Sequence, residues 1–561
     1  MIDNILDYLR VALYAALIFL GVILYQAWNK DHPKQEVNQV QTSATTASTY
    51  IPQVAPPAPM ENATAPLSQP TPSLPSDSMG QLIHVMTDTL NVTLDTHGGD
   101  IVAVKLLKYP EQLDSKTPYL LLNDEAKTRY IAQSGLLGKL GPDTSKGQGV
   151  YTAEQTEYSL VNNENTLLVK LHWQDPQGVK VTKTFTFKRD SYEIQIGYDV
   201  SNQSKQTWHG NLYTQLMRTN VPSEHSQGLA NLSTYFGAAI SSPQKPFQKI
   251  TFKEMDESNL SQAIKGGWAA MVQHYFVSAW IPDKNLSSDY YSKGSANGLY
   301  TIGMIAPELV ATPGSTVTAH ATLYSGPALT DRLEKAAPGL QLTIDYGMFW
   351  FISGILFWMM QKIYDFIGNW GWSIIFVTII IKILFYQLSA KSYRSMSGMK
   401  KLQPRIEAMK DRYKDDKQKF TQATLELYKQ EKVNPMSGCL PILIQIPVFI
   451  ALYWVLVESV QLRQAPFMLW IQDLSQKDPY YILPLLMGVS MFLQQRLNPP
   501  PPDPLQAKVM MFMPVIFTAL FLNFPAGLML YWFVNNTLSF LQQWYIMHRM
   551  DKEEKVRKVK G

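Results

Sequence analysis

Residues 370–388 read WGWSIIFVTIIIKILFYQL, and this stretch decides how the rest of the chain is interpreted. As a helix it extends about 28 Å, enough to cross the hydrocarbon core of a bilayer. Its one cation is Lys382, and on a helix Thr378 and Tyr386 lie one turn on either side of it. A charge in a membrane span costs about 3 kcal/mol on insertion scales. Two interpretations stay open: the Lys382 stem reaches to the interface, or Lys382 lines a water-filled intramembrane site.

The composition combines very apolar segments with a sizeable water-soluble part. The chain has 561 residues, of which 46% are hydrophobic and 17% charged, and this length allows two or three domains. The net charge of +4 is too small to indicate nucleic acid binding by itself. The single cysteine, Cys439, excludes an intramolecular disulfide. No Walker motif, His-Glu-x-x-His motif or cysteine cluster occurs, so we expect no catalytic residues, no metal site and no cofactor.

The N-terminal half divides into three parts. An apolar run within residues 1–28 predicts an uncleaved transmembrane anchor, and the Pro-, Ser- and Thr-rich residues 29–80 predict a disordered linker. Residues 81–338 predict a large antiparallel β-sandwich, most clearly where VKVTKTFTFKRDSYEIQIGYDVSN (residues 179–202) alternates with period two around a turn. Two interpretations of this domain remain open. It either contains a cleft that binds sugars or peptides, or it serves as a folded spacer or docking surface, because fold class alone does not give function.

The C-terminal part, residues 345–547, predicts a polytopic helical core. Residues 345–368 are aromatic but end in charged residues, which favours a helix in the membrane interface. Further spans are predicted at 370–388, 440–457, 480–497, 509–524 and 528–547. With the N-terminal anchor the fold class is therefore a six-span α-helical membrane protein with a five-helix core and a β-sandwich domain outside the bilayer.

The distribution of charge predicts the orientation. Residues 391–432 contain twelve Lys and Arg against six Asp and Glu, and the tail 548–561 is also basic. The loop between residues 461 and 479 is neutral. Positive segments stay in the cytoplasm, so we expect both termini there and the β domain on the opposite side.

Residues 391–433 predict a helical hairpin in the cytoplasm. Apolar residues at steps of three and four form the seam of a coiled coil, and Asn434-Pro435 ends the second helix. The basic outer face has two open interpretations. It is either a solvated charged surface or a docking arm for an acidic partner such as ribosomal RNA.

Several stretches resemble one family. WGWSIIFVTIIIKILFY, SMSGMKKLQPRIEAMKDRYKDDKQK, LYKQEKVNPMSGCLPILIQIPVFIALYWVL and KVMMFMPVIFTALFLNFPAGLMLYWFVNN are similar to the YidC/Oxa/Alb membrane insertases. The layout of anchor, linker and β domain resembles the Gram-negative members. The resemblance implies a non-enzymatic insertase and chaperone in the bacterial inner membrane, acting alone or with the Sec translocon, with a hydrophilic groove closed toward the periplasm.

In that family a cation lines the groove, and its position matches Lys382, where many bacterial members carry arginine. A lysine keeps the charge but lacks the planar guanidinium fork. With this resemblance we assign to the substrate groove Lys382, Thr378, Tyr386, Gln445, Tyr531, Trp532 and Asn535. We assign to an apolar slide for the substrate Ile444, Pro447, Met510, Met513 and Phe517, and to ribosome contact Lys400, Lys401, Arg405 and Lys410.

The expected partners are nascent inner-membrane proteins, the Sec translocon, the ribosome through the hairpin and tail, and membrane lipids, with no small-molecule substrate. Two other functions remain to be weighed. A secondary transporter using Lys382 as a counter-charge predicts inverted repeats and paired broken helices, which the sequence lacks. A membrane-anchored β-sandwich enzyme predicts activity in the isolated β domain.

Overall fold

The computed structural model describes residues 80–144, 147–221, 234–294, 298–413, 416–431, 433, 440–498 and 504–560. The predicted anchor at 1–28 and almost all of the linker at 29–80 lie outside the described residues. In the described part, a β-rich region is followed by a helical region, which agrees with the order expected from the sequence.

Two mainly antiparallel sheets form the β domain. The first sheet, in the described part of the chain, has ten strands. They are β1 (Leu82–Met86), β2 (Leu90–Asp95), β3 (Asp100–Pro110), β4 (Pro118–Leu122), β5 (Tyr130–Leu137), β7 (Glu157–Ser159), β11 (Trp208–Thr219), β14 (Ser261–Lys265), β17 (Ser287–Lys293) and β18 (Leu299–Ala311). Their order is β14-β17-β18-β11-β5-β3-β2-β1-β7, with β4 paired to β3.

The second sheet has nine strands among the described residues. They are β6 (Thr152–Ala153), β8 (Thr166–Gln174), β9 (Val179–Lys188), β10 (Glu193–Asn202), β12 (Phe236–Ser241), β13 (Gln248–Ile250), β15 (Trp268–Gln273), β16 (Phe276–Ile281) and β19 (Thr316–Pro327). Their order is β13-β12-β15-β16-β19-β10-β9-β8-β6. Two short helices, α1 (Phe252–Glu257) and α2 (Thr330–Ala336), accompany the strands.

The hairpin expected from residues 179–202 is confirmed. Strands β9 and β10 pair antiparallel, with Phe187 opposite Ile194 and Phe185 opposite Ile196. Alternate residues of both strands are buried, and they join residues of the first sheet in one hydrophobic core. The period-two pattern therefore fixes which side of this hairpin faces the interior.

The helical region begins after two short 3₁₀ turns, Leu340–Thr343 and Gly347–Phe349. Its helices are α3 (Trp350–Ile367), α4 (Trp370–Leu384), α5 (Tyr386–Arg412), α6 (Lys417–Gln430), α7 (Leu440–Glu458), α8 (Ile482–Leu497), α9 (Pro504–Phe521) and α10 (Ala526–Lys560). A 3₁₀ turn, Val460–Leu462, follows α7. Helix α10 packs against α4, α5, α7 and α8, and α3 packs against α4 and α7.

The segment expected as one span at 370–388 is broken. Helix α4 ends at Leu384, where Phe385 leaves the helical conformation, and α5 continues at an angle of 66°. By length and composition this bent pair passes as a membrane crossing, whereas no single helix in the described ranges does so. Shorter apolar helical stretches are Leu443–Glu458, Ile482–Leu497 and Ala507–Phe521.

Candidate functional site

A cavity of about 90 Å³ lies between helices α4, α5, α7, α8 and α10. Three of the residues assigned to a groove from the sequence line it together: Lys382, Gln445 and Asn535. They come from three different helices, α4, α7 and α10, so only the fold brings them together. Their amide and ammonium groups give an otherwise apolar helical region a polar interior.

Lys382 is held by a hydroxyl on the neighbouring helix. Its Nζ atom donates a hydrogen bond of 2.6 Å to Oγ of Ser539 on α10. The Ser539 hydroxyl in turn donates to the main-chain oxygen of Asn535, at 2.8 Å. Within the described ranges no ion pair includes Lys382. The ammonium group therefore borders the cavity without a carboxylate of the described chain to neutralise it.

The break between α4 and α5 sets the position of this cation. Lys382 lies in the last turn of α4, where the unpaired carbonyl groups of a helix end favour a positive charge. The other end of α4 is fixed by Asn369, whose Oδ1 accepts from the Trp372 N–H at 3.1 Å and whose Nδ2 donates to the Phe467 oxygen at 3.0 Å. Helix α4 is thus anchored at its start and ends at the cavity.

The other predicted groove residues lie around the cavity rather than in its lining. The Tyr531 hydroxyl accepts a hydrogen bond from Nε2 of Gln445 at 3.5 Å. Tyr531 therefore contacts the Gln445 amide without lining the cavity itself. The buried Thr378 hydroxyl donates to the Ile374 oxygen of its own helix at 2.7 Å. Tyr386 is exposed and follows the helix break, so it does not continue the helical face of Lys382. Trp532 packs on Phe449, with ring centroids 4.6 Å apart.

The residues predicted to form an apolar slide occupy different places. Ile444 lines the cavity itself. Pro447 lies half-buried inside α7, and the main-chain oxygen of Met510 accepts a hydrogen bond from the Gln495 side chain. Met513 is exposed, whereas Phe517 stacks on Phe521 with centroids 5.7 Å apart. The slide assignment therefore stays a prediction.

Among the cavity residues that were not assigned from the sequence are Ser539 and Gln543. Both are buried, and they follow Asn535 on α10 at intervals of four residues. Residues four apart share one face of a helix. This spacing was a usable signal, because Asn535 had already been singled out.

The cations predicted to contact the ribosome all lie on α5. Lys400, Lys401, Arg405 and Lys410 are exposed. Arg405 pairs with Glu431 just after α6, at 2.6 Å, which ties the two helices of the hairpin together. No group of His, Cys, Asp and Glu that could hold a metal ion occurs among the described residues.

Comparison with known proteins places this chain in a family. A family model described as the YidC periplasmic domain matches residues 82–359, and one described as a 60Kd inner membrane protein matches residues 362–554. A Legionella pneumophila (strain Paris) protein named membrane protein insertase YidC is 47% identical over 558 residues, covering 99% of both chains. A Pseudomonas putida (strain GB-1) protein of the same name is 46% identical over 98% of this chain and 99% of its own. The chain belongs to the YidC family.

YidC proteins are membrane protein insertases rather than enzymes, so the function predicted from the sequence is confirmed. They belong to the bacterial inner membrane and carry a periplasmic domain, which here is the β-rich region. A solved structure described as an active YidC insertase with its first transmembrane domain resolved is 19% identical, with a TM-score of 0.38, over 83% of this chain and 95% of that one. A galactose mutarotase-like protein from Lactobacillus casei covers 44% of this chain at 8% identity and a TM-score of 0.30.

Proposed function

We propose that this YidC protein inserts nascent inner-membrane proteins through the cavity that Lys382 borders. The observation that carries the proposal is a half-buried ammonium group with a hydroxyl partner and no described carboxylate partner, next to the amides of Gln445 and Asn535. A charged side chain without a counter-ion is costly in an apolar region. Its presence there therefore indicates a functional role.

The proposed topology has six spans. The anchor within residues 1–28 and the segments 370–388, 440–457, 480–497, 509–524 and 528–547 cross the membrane, and residues 345–368 lie in its interface. Exposed tryptophans on α3 support the last assignment, since Trp350 and Trp358 are 67% and 61% exposed and such rings favour the interface. The hairpin 391–433 and the tail 548–561 then lie in the cytoplasm with both termini.

In the proposed mechanism, the cavity lowers the barrier for the polar flank of a substrate. Unpaired backbone and side-chain groups are costly in hydrocarbon, so a polar recess partway across the bilayer shortens the apolar distance that a flank must cross. Lys382 attracts an acidic flank. The membrane potential adds about 2.3 kcal/mol per charge for each 100 mV, and burial of the apolar segment in lipid completes the step without ATP.

The apolar segment of the substrate leaves toward lipid along α7 and α9. Ile444 lies at the cavity and Met513 is exposed at 36%, and these two residues mark the start and the outer part of the proposed slide. Methionine side chains adapt to many apolar shapes. Pro447, Met510 and Phe517 complete the proposed surface.

The proposed partners follow from exposure and charge. The basic faces of the hairpin and tail bind the ribosome, and the Sec translocon and membrane lipids contact the outer helices. Exposed cations on α5 support the ribosome assignment, because their attraction to phosphate groups does not require a fixed geometry.

Site-specific photo-cross-linking tests the groove. A photoreactive phenylalanine analogue replaces Ile444, which lines the cavity, or Ile446 of the same helix, which is 46% exposed. Ribosomes are stalled when the first apolar segment of a membrane protein has just emerged. Cross-links at this stage are expected from position 444 and not from 446. Equal yields from both positions, or none from 444, would contradict insertion through the cavity.

A further inference from the structure

A polar ladder on α10 continues from Asn535 toward the end of the helix. It consists of Asn535, Ser539 and Gln543, each buried and each lining the cavity. Successive members lie about 6 Å apart along the helix. In the proposed topology Gln543 is the member nearest the cytoplasm, so a substrate that comes from the ribosome meets it before Lys382.

Ser539 fixes the direction of the Lys382 side chain. Its hydroxyl proton goes to the Asn535 oxygen, at 2.8 Å, so its lone pairs face the ammonium group, at 2.6 Å. A hydroxyl has one proton to donate and two acceptor positions. This arrangement uses one of the three N–H donors of Lys382 and directs the flexible lysine stem toward α10 and the cavity.

Gln543 presents an acceptor that the described chain does not use. Its Nε2 donates to Oδ1 of Asn498, at 2.9 Å, which fixes the orientation of the amide. Its Oε1 is buried and has no hydrogen-bond partner among the described residues, although Gln543 is 0% exposed. A buried acceptor without a donor costs about 1–3 kcal/mol. Such an atom at a cavity wall points to a ligand that supplies an N–H group.

We propose that Ser539 positions Lys382 for acidic substrate flanks, and that Gln543 accepts a hydrogen bond from the main chain of any substrate in the groove. The inference rests on the proposed groove function and adds two residues with different specificities. Ser539 acts through the ammonium group, so its effect is confined to clients with a carboxylate in the translocated flank. Gln543 contacts a peptide N–H, which every client has, so its effect is independent of flank charge.

The chain offers a matched control for each residue. The Thr537 hydroxyl donates to the Phe533 oxygen of its own helix, at 2.8 Å, in the same way as Ser539, but Thr537 does not line the cavity. Gln542 is the neighbour of Gln543 and donates to the Tyr386 oxygen at 3.4 Å, outside the cavity lining. The test variants are Ser539→Ala, Ser539→Thr and Gln543→Met, and the controls are Thr537→Ala and Gln542→Met.

The full-length protein is tested in cells depleted of their own insertase. Two clients differ only in having Asp or Asn in the translocated flank, and protease protection measures insertion. Ser539→Ala is expected to reduce insertion of the Asp client about three- to tenfold and to spare the Asn client, and Ser539→Thr to restore it. Gln543→Met is expected to reduce insertion of both clients by a similar factor, while both controls insert both clients normally.

Other outcomes would contradict the role of Ser539, the role of Gln543 or the groove function. Equal loss of both clients in Ser539→Ala, without rescue by threonine, would show a purely structural serine and overturn its positioning role. Normal insertion of both clients by Gln543→Met would overturn the acceptor role. Lys382→Leu is measured alongside. If it impairs the Asp client while the α10 variants behave as their controls, the inference fails and the groove function stands. If Lys382→Leu inserts every client normally, the groove function itself fails.

Membrane levels and thermal unfolding of each variant in detergent complete the experiment. Thr537→Ala removes one hydroxyl that bonds within α10, whereas Ser539→Ala also removes the acceptor of the Lys382 ammonium group, so Ser539→Ala is expected to unfold at the lower temperature. A variant that is unstable is compared at matched amounts of folded protein. The contrast between the two clients remains measurable in that case, because both are inserted by the same preparation.

Discussion

Nε2 of His274 lies 2.7 Å from the main-chain oxygen of Val457, so the periplasmic domain donates a hydrogen bond to the end of α7. His274 is in the turn between β15 and β16, with a left-handed φ of 49°. Close by, Nη2 of Arg463 donates to the Glu111 oxygen at 2.9 Å. The two contacts hold the β domain against the end of α7 and the segment that follows it. A non-glycine residue in a left-handed turn at such a contact indicates that its side chain is needed there.

We predict that His274→Asn weakens this contact. Asparagine tolerates the left-handed turn but is too short to reach Val457, so the expected loss is one hydrogen bond, about 1 kcal/mol. Burial lowers the pKa of His274 to about 4 from 6.5. Because the histidine pKa is lower in the folded protein, the unfolded chain takes up the proton at a higher pH as the solution is acidified. The stabilisation by this hydrogen bond is therefore complete above pH 6.5 and is lost as the pH falls toward 4.

Thermal unfolding of the full-length protein between pH 4 and 8 measures the effect. The stability difference between wild type and His274→Asn should be largest near neutral pH and shrink in acid. The exposed His84, substituted in the same way, provides the control. A difference that does not change with pH would show that His274 does not titrate as this contact requires.

The β hairpin and the helical core differ in how much the sequence revealed. In β9 the alternation of Val181, Phe185 and Phe187 predicted the buried face, and Lys183 lies on that same face. The period-two pattern includes Lys183 on its buried face, but the partners of this lysine come from distant strands and loops that the local sequence does not record. In the core, the apolar runs predicted helices, whereas the continuous apolar pattern of residues 370–388 did not indicate the break at Phe385.

The groove was partly predictable for a related reason. Lys382, Gln445 and Asn535 stood out because polar residues are rare in apolar runs, and the cavity brings these three together. Serine is common in helices of all kinds, so Ser539 was not singled out. Tyr386 was placed with Lys382 by assuming a continuous helix, and the break removes that relation.

Lys183 connects the two sheets of the periplasmic domain, and we predict that Lys183→Met is strongly destabilising. Its Nζ donates to the Ser134 oxygen at 2.7 Å and the Gly98 oxygen at 3.1 Å, and it is fully buried near Asp100 and Asp143. Methionine would leave two buried carboxyl groups without a cation. Removing one partner of buried charges costs about 3–5 kcal/mol.

Lys180→Met is the matched control, because Lys180 is exposed on the same strand. Denaturant unfolding of the full-length protein, followed by tryptophan fluorescence, should separate the two variants clearly. Similar midpoints for both variants would mean that Lys183 contributes nothing beyond its apolar stem.

Asp143 makes the stability of the periplasmic domain depend on pH, and we predict that Asp143→Asn reduces this dependence. Burial raises the pKa of Asp143 to about 7 from 3.8, with nearby Asp100 acting in the same direction and Lys183 against it. Between these values the folded state keeps a proton that the unfolded chain releases, so this group makes stability fall as the pH rises from 4 to 7. Asparagine carries no such proton. The wild-type unfolding temperature, relative to that of the variant, should therefore decrease across this range, and a constant difference would contradict the raised pKa.

The cytoplasmic hairpin should bind ribosomes through its exposed cations. We predict that reversing Lys400, Lys401, Arg405 and Lys410 to Glu lowers ribosome affinity and weakens its dependence on salt, because fewer counter-ions are released on binding. Co-sedimentation of the detergent-solubilised protein with ribosomes at several salt concentrations measures both quantities. Reversal of exposed lysines of the periplasmic domain, at positions 170, 180, 188 and 253, gives a control of equal charge change. If wild-type binding is insensitive to salt, the hairpin cations act only as topological signals.

The last prediction concerns the choice of cation at position 382. Lys382→Arg should insert clients at a level close to wild type, because the charge is kept, although a guanidinium group must find a new arrangement at Ser539. Lys382→Ala should impair clients with acidic flanks most and still insert those with neutral flanks, since Gln445 and Asn535 keep the cavity polar. If Lys382 instead only extends its stem to the interface, Lys382→Leu would be neutral or stabilising, because it lengthens an apolar segment. Insertion of flank-matched clients and thermal unfolding of Lys382→Leu, measured together, distinguish the two: a stabilised variant that inserts every client would show that the charge has no part in insertion.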